Sequence, residues 1–206
     1  MEIFDISQEV FECTVFPGDP QPERIRMQQI ADGDVCNLTG IRMCAHNGTH
    51  VDAPYHFIDG AKTIDKVDLK RFIGPAYVAE FDGMILADDA RLIMKKAKEA
   101  DKLHNLADDK ASSRILVKGN AVVSEEAAGI FAGEHIKLFG NESQTVGPED
   151  APKAVHMIML SEEIVLLEGI RLSGIPEGVY MLNAAPLNLG GADGAPCRAI
   201  LMRFED

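Results

Sequence analysis

A mixed α/β fold is predicted by three features of the 206-residue sequence. Short apolar runs with strand character alternate with helix-like segments along the chain, glycines and prolines punctuate them evenly, and no repeat, low-complexity tract or Pro/Ser-rich linker interrupts the rhythm. Residues 1–206 therefore read as one domain, long enough to bury a core without disulfide staples.

Taken in order, Ile3–Ser7 reads as a short strand and Phe16-Pro17-Gly18-Asp19-Pro20 as a turn, because two prolines and a glycine continue neither strand nor helix. Leu38–Met43 alternates apolar and polar residues and leads into a histidine-rich stretch. Ala76–Phe81 is a further strand, and Asp89–Ala100 a helix whose lysines come late, where they complement the helix dipole. Arg114–Lys118 has a buried-strand pattern, Ser124–Ala132 is an Ala-rich helix opened by a capping serine, and Ile136–Phe139 returns to strand. The spacing predicts a helix over Asp150–Ser161 with Pro152 in its first turn, then a strand over Ile164–Leu167. Val179–Ala184 and Arg198–Phe204 close the pattern as strands around a glycine-rich turn, Gly190–Gly194.

Charge narrows the partners. Lys plus Arg number 20 against 33 Asp plus Glu, a net charge of -13, which repels polyphosphate and anionic lipid and argues against nucleic acid or membrane. No apolar run approaches the roughly 20 residues of a membrane span. With no Trp, three Tyr and nine Phe there are few platforms for stacking bases or sugars, so a small-molecule ligand is expected. Cys13, Cys36, Cys44 and Cys197 form no Cys-x-x-Cys pair, and Met1–Val10 lacks the basic-then-apolar profile of a signal peptide; reduced thiols in a cytoplasmic protein are expected.

The chemistry concentrates in His46-Asn47-Gly48-Thr49-His50-Val51-Asp52-Ala53-Pro54-Tyr55-His56. Gly48 and Pro54 argue against a helix, and along an extended chain the even-numbered His46, His50 and Asp52 share one face. Two neutral imidazoles and a carboxylate, with room left for water, suit a catalytic Zn²⁺ or Mn²⁺; a closed structural site recruits four ligands, usually with Cys. Pro54 breaks the alternation and leaves His56 open between facing the metal and facing the substrate. Farther along, His156 lies inside an apolar helix and Glu168 follows four apolar residues at a strand end, so each is a candidate for a distant contribution. On the residues alone a hydrogen-bonded core histidine and a solvated glutamate explain them as well. His104 and His135 have polar surroundings and read as surface residues, and Cys44 has no basic neighbour to activate its thiol. Gly190–Gly194 lacks the phosphate-loop pattern, and the Gly-x-Ser-x-Gly elbow of serine hydrolases is missing.

The stretch His46-x-Gly48-Thr49-His50-x-Asp52-x-Pro54-x-His56 resembles the signature of the cyclase-like metal-dependent hydrolases, which include bacterial kynurenine formamidases. The resemblance extends through Phe16-Pro17-Gly18-Asp19, Arg114-Ile115-Leu116, Ala185-Pro186-Leu187 and Gly191-x-Asp193-Gly194-x-Pro196-x-Arg198-Ala199. It implies a swivelling β/β/α-type fold with a mixed sheet, a homo-oligomer (dimer or tetramer), and one or two Zn²⁺ or Mn²⁺ ions per chain. Matched by position, His46, His50 and Asp52 hold the first ion, Asp52 and Glu168 bridge to a second that His156 completes, and His56 transfers the proton. Phe16 stands where the formamidases usually carry a Trp against the substrate ring, and Gly140-Asn141-Glu142-Ser143 departs from the usual Gly-x-Asp-x-Ser. The resemblance thus fixes the reaction type better than the substrate. It implies hydrolysis of a small amide of the arylformamidase type, with an N-formylkynurenine-like substrate from tryptophan catabolism. The alternatives are hydrolysis of a cyclic amide or lactone, or a non-catalytic metal-binding interaction protein.

Overall fold

The computed structural model describes residues 1–204. Its strands are β1 (Glu2–Asp5), β2 (Glu23–Gln28), β3 (Leu38–Arg42), β4 (His50–Asp52), β5 (Ile73–Glu80), β6 (Gly83–Ile85), β7 (Arg114–Lys118), β8 (Ala121–Val123), β9 (Leu138–Asn141), β10 (Val165–Glu168), β11 (Gly178–Asn183), β12 (Gly194–Pro196) and β13 (Ile200–Arg203). The helices are α1 (Ala87–Leu103), α2 (Glu125–Gly133) and α3 (Lys153–Ser161). Nine strands form one mixed sheet in the order β1-β13-β11-β5-β7-β9-β10-β4-β12, while β2 pairs with β3 and β6 with β8 in small separate sheets. The predicted mixed α/β class is borne out.

Side-chain alternation builds two cores, one on each face of the sheet. In β7, Ile115 and Val117 pack toward the helices whereas Leu116 faces the other side; in β9, Phe139 faces the helices and Leu138 the other side; in β10, Leu166 faces the helices and Val165 and Leu167 the other side. Strands buried on both faces explain why these segments read as continuous apolar runs in the parallel stretch β5-β7-β9-β10. The inner cluster joins Val51 of β4 and Ala195 of β12 to Leu182 of β11 and Leu201 of β13, strands from both ends of the order. The sheet therefore curls on itself, and its outer face takes the three helices.

Several boundaries differ from expectation. Arg114–Lys118 coincides with β7, but α1 starts earlier and runs longer than Asp89–Ala100, because Asp89 accepts a hydrogen bond from the Leu86 N–H (2.9 Å) and sets the start there. Pro152 is the N-cap residue of α3 and not a first-turn residue, so that helix begins at Lys153 and not at Asp150. The small ribbon strand β2 was not anticipated: it mixes Glu23, Arg24 and Arg26 with Ile25 and Met27, and all of its residues are exposed.

One buried cation ties the chain together below the sheet. The fully buried Arg114 guanidinium donates to the carbonyls of Arg71 (3.1 Å), Pro75 (3.0 Å) and Lys70, and to both carboxylate oxygens of Asp109 (3.1 Å each). Replacing it by Met removes a donor from each of these acceptors and leaves Asp109 with Lys137 alone (2.6 Å), and we expect Arg114→Met to lower stability by about 3–5 kcal/mol in urea denaturation. Burial pushes the Asp109 carboxyl up, but Arg114 and Lys137 outweigh it and hold it below its ordinary value of 3.8. That share of the stability is present above the unfolded pKa and fades as pH falls through the folded one. The gap between variant and native protein should therefore narrow below about pH 4; a gap that widens in acid would contradict this account.

Candidate active site

The alternation that sends Val51 into the inner core sends its neighbours His50 and Asp52 to the helix face. Antiparallel pairing places His50 opposite Glu168 and Asp52 opposite Leu166, and because Leu166 faces the helices, Glu168 two residues on does too. His156, on the buried face of α3, comes down onto the same spot. His50, Asp52, His156 and Glu168 are all buried. The two sequence-distant candidates thus join the histidine-rich stretch.

His46 arrives differently from expectation. Residues 45–49 form a turn and not an extended strand, with Gly48 in the left-handed region (φ 67°) that favours glycine. Only His50 and Asp52 share a strand face; the turn folds His46 back so that its Nδ1 lies 2.8 Å from Asp52 Oδ1. The rest of the motif holds that turn. Asn47 Oδ1 accepts from the Cys44 N–H (2.8 Å) and its amide donates to the Pro20 carbonyl (3.2 Å), while the Thr49 hydroxyl donates to the Gly169 carbonyl (2.7 Å), next to Glu168. Pro54–His56 then form one 3-10 turn, which lifts His56 off the strand and stacks its ring on His46 with centroids 4.0 Å apart.

Two imidazoles have their tautomers set by backbone carbonyls, which only accept. His50 Nδ1 donates to the Gly48 carbonyl (2.9 Å) and His156 Nδ1 to the Pro152 carbonyl (2.8 Å), so the Nε2 atoms carry the lone pairs when the rings are neutral. Those Nε2 atoms face more acceptors. His50 Nε2 is 3.3 Å from Glu168 Oε2 and 3.5 Å from Asp52 Oδ1; His156 Nε2 is 3.2 Å from Glu168 Oε1 and 3.6 Å from Asp52 Oδ2. Asp52 Oδ2 is buried and lacks a hydrogen-bond partner among the described residues. A buried ring of lone pairs needs positive charge at its centre, and two imidazole–carboxylate sets lie close enough to hold a metal ion: His46, Asp52 and His56, and His50, Asp52 and Glu168.

Protonation expresses the same demand. Burial opposes charge on His46, but hydrogen bonds from its ring to Asp193 and Asp52 raise it to about 11. His156 is likewise raised, burial being outweighed by Glu168. Asp52 and Glu168 are held below the ordinary carboxylate range although burial pushes both up, Asp52 chiefly by His46 and Glu168 by His156 and His50. Protons drawn onto these rings occupy the place for which a divalent cation competes.

Beside this cluster lies a cavity of about 210 Å³, lined by His46, His50, His56, His156 and Glu168, by Phe16, Phe57 and Pro152, and by Asp19, Gln144 and Thr145. Phe16 opens the predicted turn, which the Asp19 N–H closes onto the Phe16 carbonyl (3.1 Å). His104 and His135 are exposed, as expected, and Cys44 is half-buried away from the cavity.

Sequence reasoning missed Phe57, Gln144 and Thr145, which carry no signal apart from the fold, and Asp193. Asp193-Gly194 was expected to be part of a turn; instead Gly194 opens β12 opposite Asp52, and a Cβ on it would lie 2.6 Å from His46 Cε1. That close approach requires glycine. It also brings the Asp193 carboxylate to 2.9 Å from His46 Nε2 and 3.1 Å from His56 Nδ1. The resemblance had included this dipeptide without giving it a role.

Residues 4–148 match the family model described as Putative cyclase. The chain belongs to the cyclase family. It is 30% identical to the kynurenine formamidase of Salinibacter ruber (strain DSM 13855 / M31) over the whole of both chains. To the kynurenine formamidase of Polaromonas naphthalenivorans (strain CJ2) it is 31% identical, covering 100% of this chain and 92% of that one. Among solved structures, one titled as a potential metal-dependent hydrolase with cyclase activity superposes with a TM-score of 0.79 at 25% identity, covering 100% of this chain and 99% of the other. An isatin hydrolase bound to the product analogue thioisatinate superposes at 0.78 with 19% identity, over 99% and 93% of the chains, a likeness of fold. The cyclase-family resemblance read from the motifs is borne out, and in this member the motif's glycine, threonine and asparagine have structural duties as specific as those of its histidines.

Proposed function

We propose that the chain is a metal-dependent amidohydrolase of the arylformamidase type, which splits a small amide such as an N-formylkynurenine-like compound into formate and an arylamine. The observation that carries this reading is the buried set of imidazoles and carboxylates that converge beside the cavity, with Asp52 Oδ2 among them left without a hydrogen-bond partner among the described residues. His46, His50 and Asp52 would hold one Zn²⁺ or Mn²⁺, and Asp52, Glu168 and His156 a second. When bound, such an ion supplies Lewis acidity that polarises an amide carbonyl and lowers the pKa of water from 15.7 to about 7.

The remaining roles belong to the chain. Phe16 and Phe57 give the cavity two aromatic walls, which suits a flat ring placed with its amide toward the histidines. Net hydrolysis adds the oxygen of water to the formyl carbon and two protons to the products. His56, with Nδ1 engaged by Asp193, keeps Nε2 to take a proton from water and return it to the nitrogen of the breaking C–N bond. Burial of Asp52, His50 and Glu168 keeps bulk water from screening these charges.

Two further proposals concern the setting. The β2–β3 ribbon exposes Ile25, Met27 and Ile41 at 45%, 61% and 60%, which supports a homo-oligomer. The four cysteines are free, which supports a reducing compartment such as the cytoplasm. No helix among the described residues is long and apolar enough to cross a membrane.

The test is metal analysis coupled to an activity screen on metal-free and reconstituted protein, with N-formylkynurenine, simple aryl formamides, cyclic amides and lactones. Formate release that chelation abolishes and Zn²⁺ or Mn²⁺ restores is expected. Stoichiometric metal with no hydrolysis across the panel would favour a binding protein, and preferential ring opening would move the substrate to the cyclic amides.

A further inference from the structure

We propose that Asp193 is a positioning residue that fixes the ring orientation and tautomer of His56 and, together with Asp52, those of His46. The inference rests on the proposed roles of His46 as a metal ligand and His56 as proton carrier, and it gives a function to a residue outside the histidine-rich stretch.

The geometry is specific. A single oxygen, Asp193 Oδ2, lies 2.9 Å from His46 Nε2 and 3.1 Å from His56 Nδ1. A carboxylate only accepts, so both of those nitrogens carry hydrogen. His46 Nδ1 points at Asp52 Oδ1 (2.8 Å), a second acceptor, so it offers a lone pair only when a cation takes the place of its hydrogen; neutral His56 carries its lone pair on Nε2. The first is the atom a cation beside Asp52 would use; the second is the atom that must exchange a proton.

Packing alone does not produce this selection. The two rings stack at 4.0 Å with planes 25° apart, an arrangement that a half-turn of either ring about its Cβ–Cγ bond preserves. Such a turn replaces a nitrogen by a carbon opposite Asp193 and loses the hydrogen bond. For His56, Asp193 therefore supplies the energy difference between two otherwise similar ring orientations, and for His46 it shares that role with Asp52, 2.8 Å from Nδ1. Its own position is set by the backbone, since its carbonyl accepts from the Ala53 N–H (2.9 Å) and the next residue is paired with Asp52. Its side chain remains 42% exposed while those of Asp52 and Glu168 are 0% and 3%, so it stands at the rim and is solvated, a supporting carboxylate behind the buried ones.

The experiment compares native protein, Asp193→Ala and the isosteric Asp193→Asn as full-length chains, metal-free and loaded with diamagnetic Zn²⁺. Three quantities are read: imidazole tautomers from long-range ¹H–¹⁵N correlations, Zn²⁺ affinity by chelator competition, and kcat and KM for an aryl formamide. His56 should be in the Nδ1–H form in native protein and mixed in Asp193→Ala. Zn²⁺ affinity should fall about 10-fold to 100-fold and kcat by a similar factor, with KM within about twofold. Asp193→Asn, whose amide oxygen still accepts one N–H, should fall between. Native tautomers with unchanged affinity and kcat in Asp193→Ala would overturn the proposal, as would equal losses in both variants accompanied by a lowered Tm, which indicate a structural role. Should Asp193→Ala fail to fold, the Asn variant decides by the same three readings, native values overturning the proposal. A native protein inactive toward every amide but with the stated tautomers would sink the catalytic reading and leave the positioning role standing.

Discussion

Asp52→Ala protein is expected to purify without bound metal, to hydrolyse formamides at least about 10³-fold more slowly than the native chain, and to gain no Tm on addition of Zn²⁺ or Mn²⁺. Asp52 stands at the middle of the donor set: one oxygen lies within 2.8 Å of His46 and 3.5 Å of His50, and the other within 3.6 Å of His156. Its substitution removes a contact from every proposed ligand histidine and the one carboxylate shared between both candidate ions. No neighbour can replace it, because Glu168 already faces His50 and His156, and Asp193 lies on the far side of the His46 ring. The melting curves with and without metal separate this from a general loss of stability, since native protein must show a metal-dependent rise that the variant lacks. A variant that retains native metal content would refute the assignment.

The complementary result is expected for His56→Ala, which should keep its metal while kcat falls about 10²-fold to 10⁴-fold. His56 stacks on His46, meets the His156 ring edge-on and binds Asp193; although it lies within reach of a cation beside His46 and Asp52, its removal leaves His50, Asp52, His156 and Glu168 in place. The side chain is 27% exposed and lines the cavity, which places it where a substrate nitrogen and water can both reach it. Added imidazole should restore part of the rate by occupying the space the ring leaves. Full activity without His56 would transfer the proton-carrying role to another group.

The contrast between these two variants depends on residues whose legibility in the sequence differed for physical reasons. His46, His50, Asp52 and His56 were readable because they are local: eleven consecutive positions hold them all. On the residues alone His156 and Glu168 were visible as polar residues in apolar company, a signal that says a partner exists without saying which, and only the family resemblance placed them with the histidine-rich stretch. Asp193 was not visible, since an aspartate before a glycine has the chemistry of a turn, and only the pairing of Gly194 with Asp52 reveals that it abuts the histidines. In the fold, Arg114–Lys118 was read correctly because burial on both faces makes a strand continuously apolar. β2, at Glu23–Gln28, escaped because it pairs with a single exposed strand, so the alternation of its arginines with Ile25 and Met27 marks no buried face. The extended reading of residues 45–49 failed because side-chain parity assumes regular backbone, and the left-handed Gly48 ends that assumption.

The position of β4 has a consequence for biosynthesis. Its two hydrogen-bonded neighbours, β10 and β12, begin at Val165 and Gly194, more than a hundred positions after His50 in the chain. The histidine-rich stretch is synthesised early, but the strands that hold it in register come last, so loop closure over most of the polypeptide precedes assembly of the centre. Until β10 and β12 have paired with β4, His50 and Asp52 lie apart from Glu168 and Asp193, so the proposed cation site exists only in the folded chain.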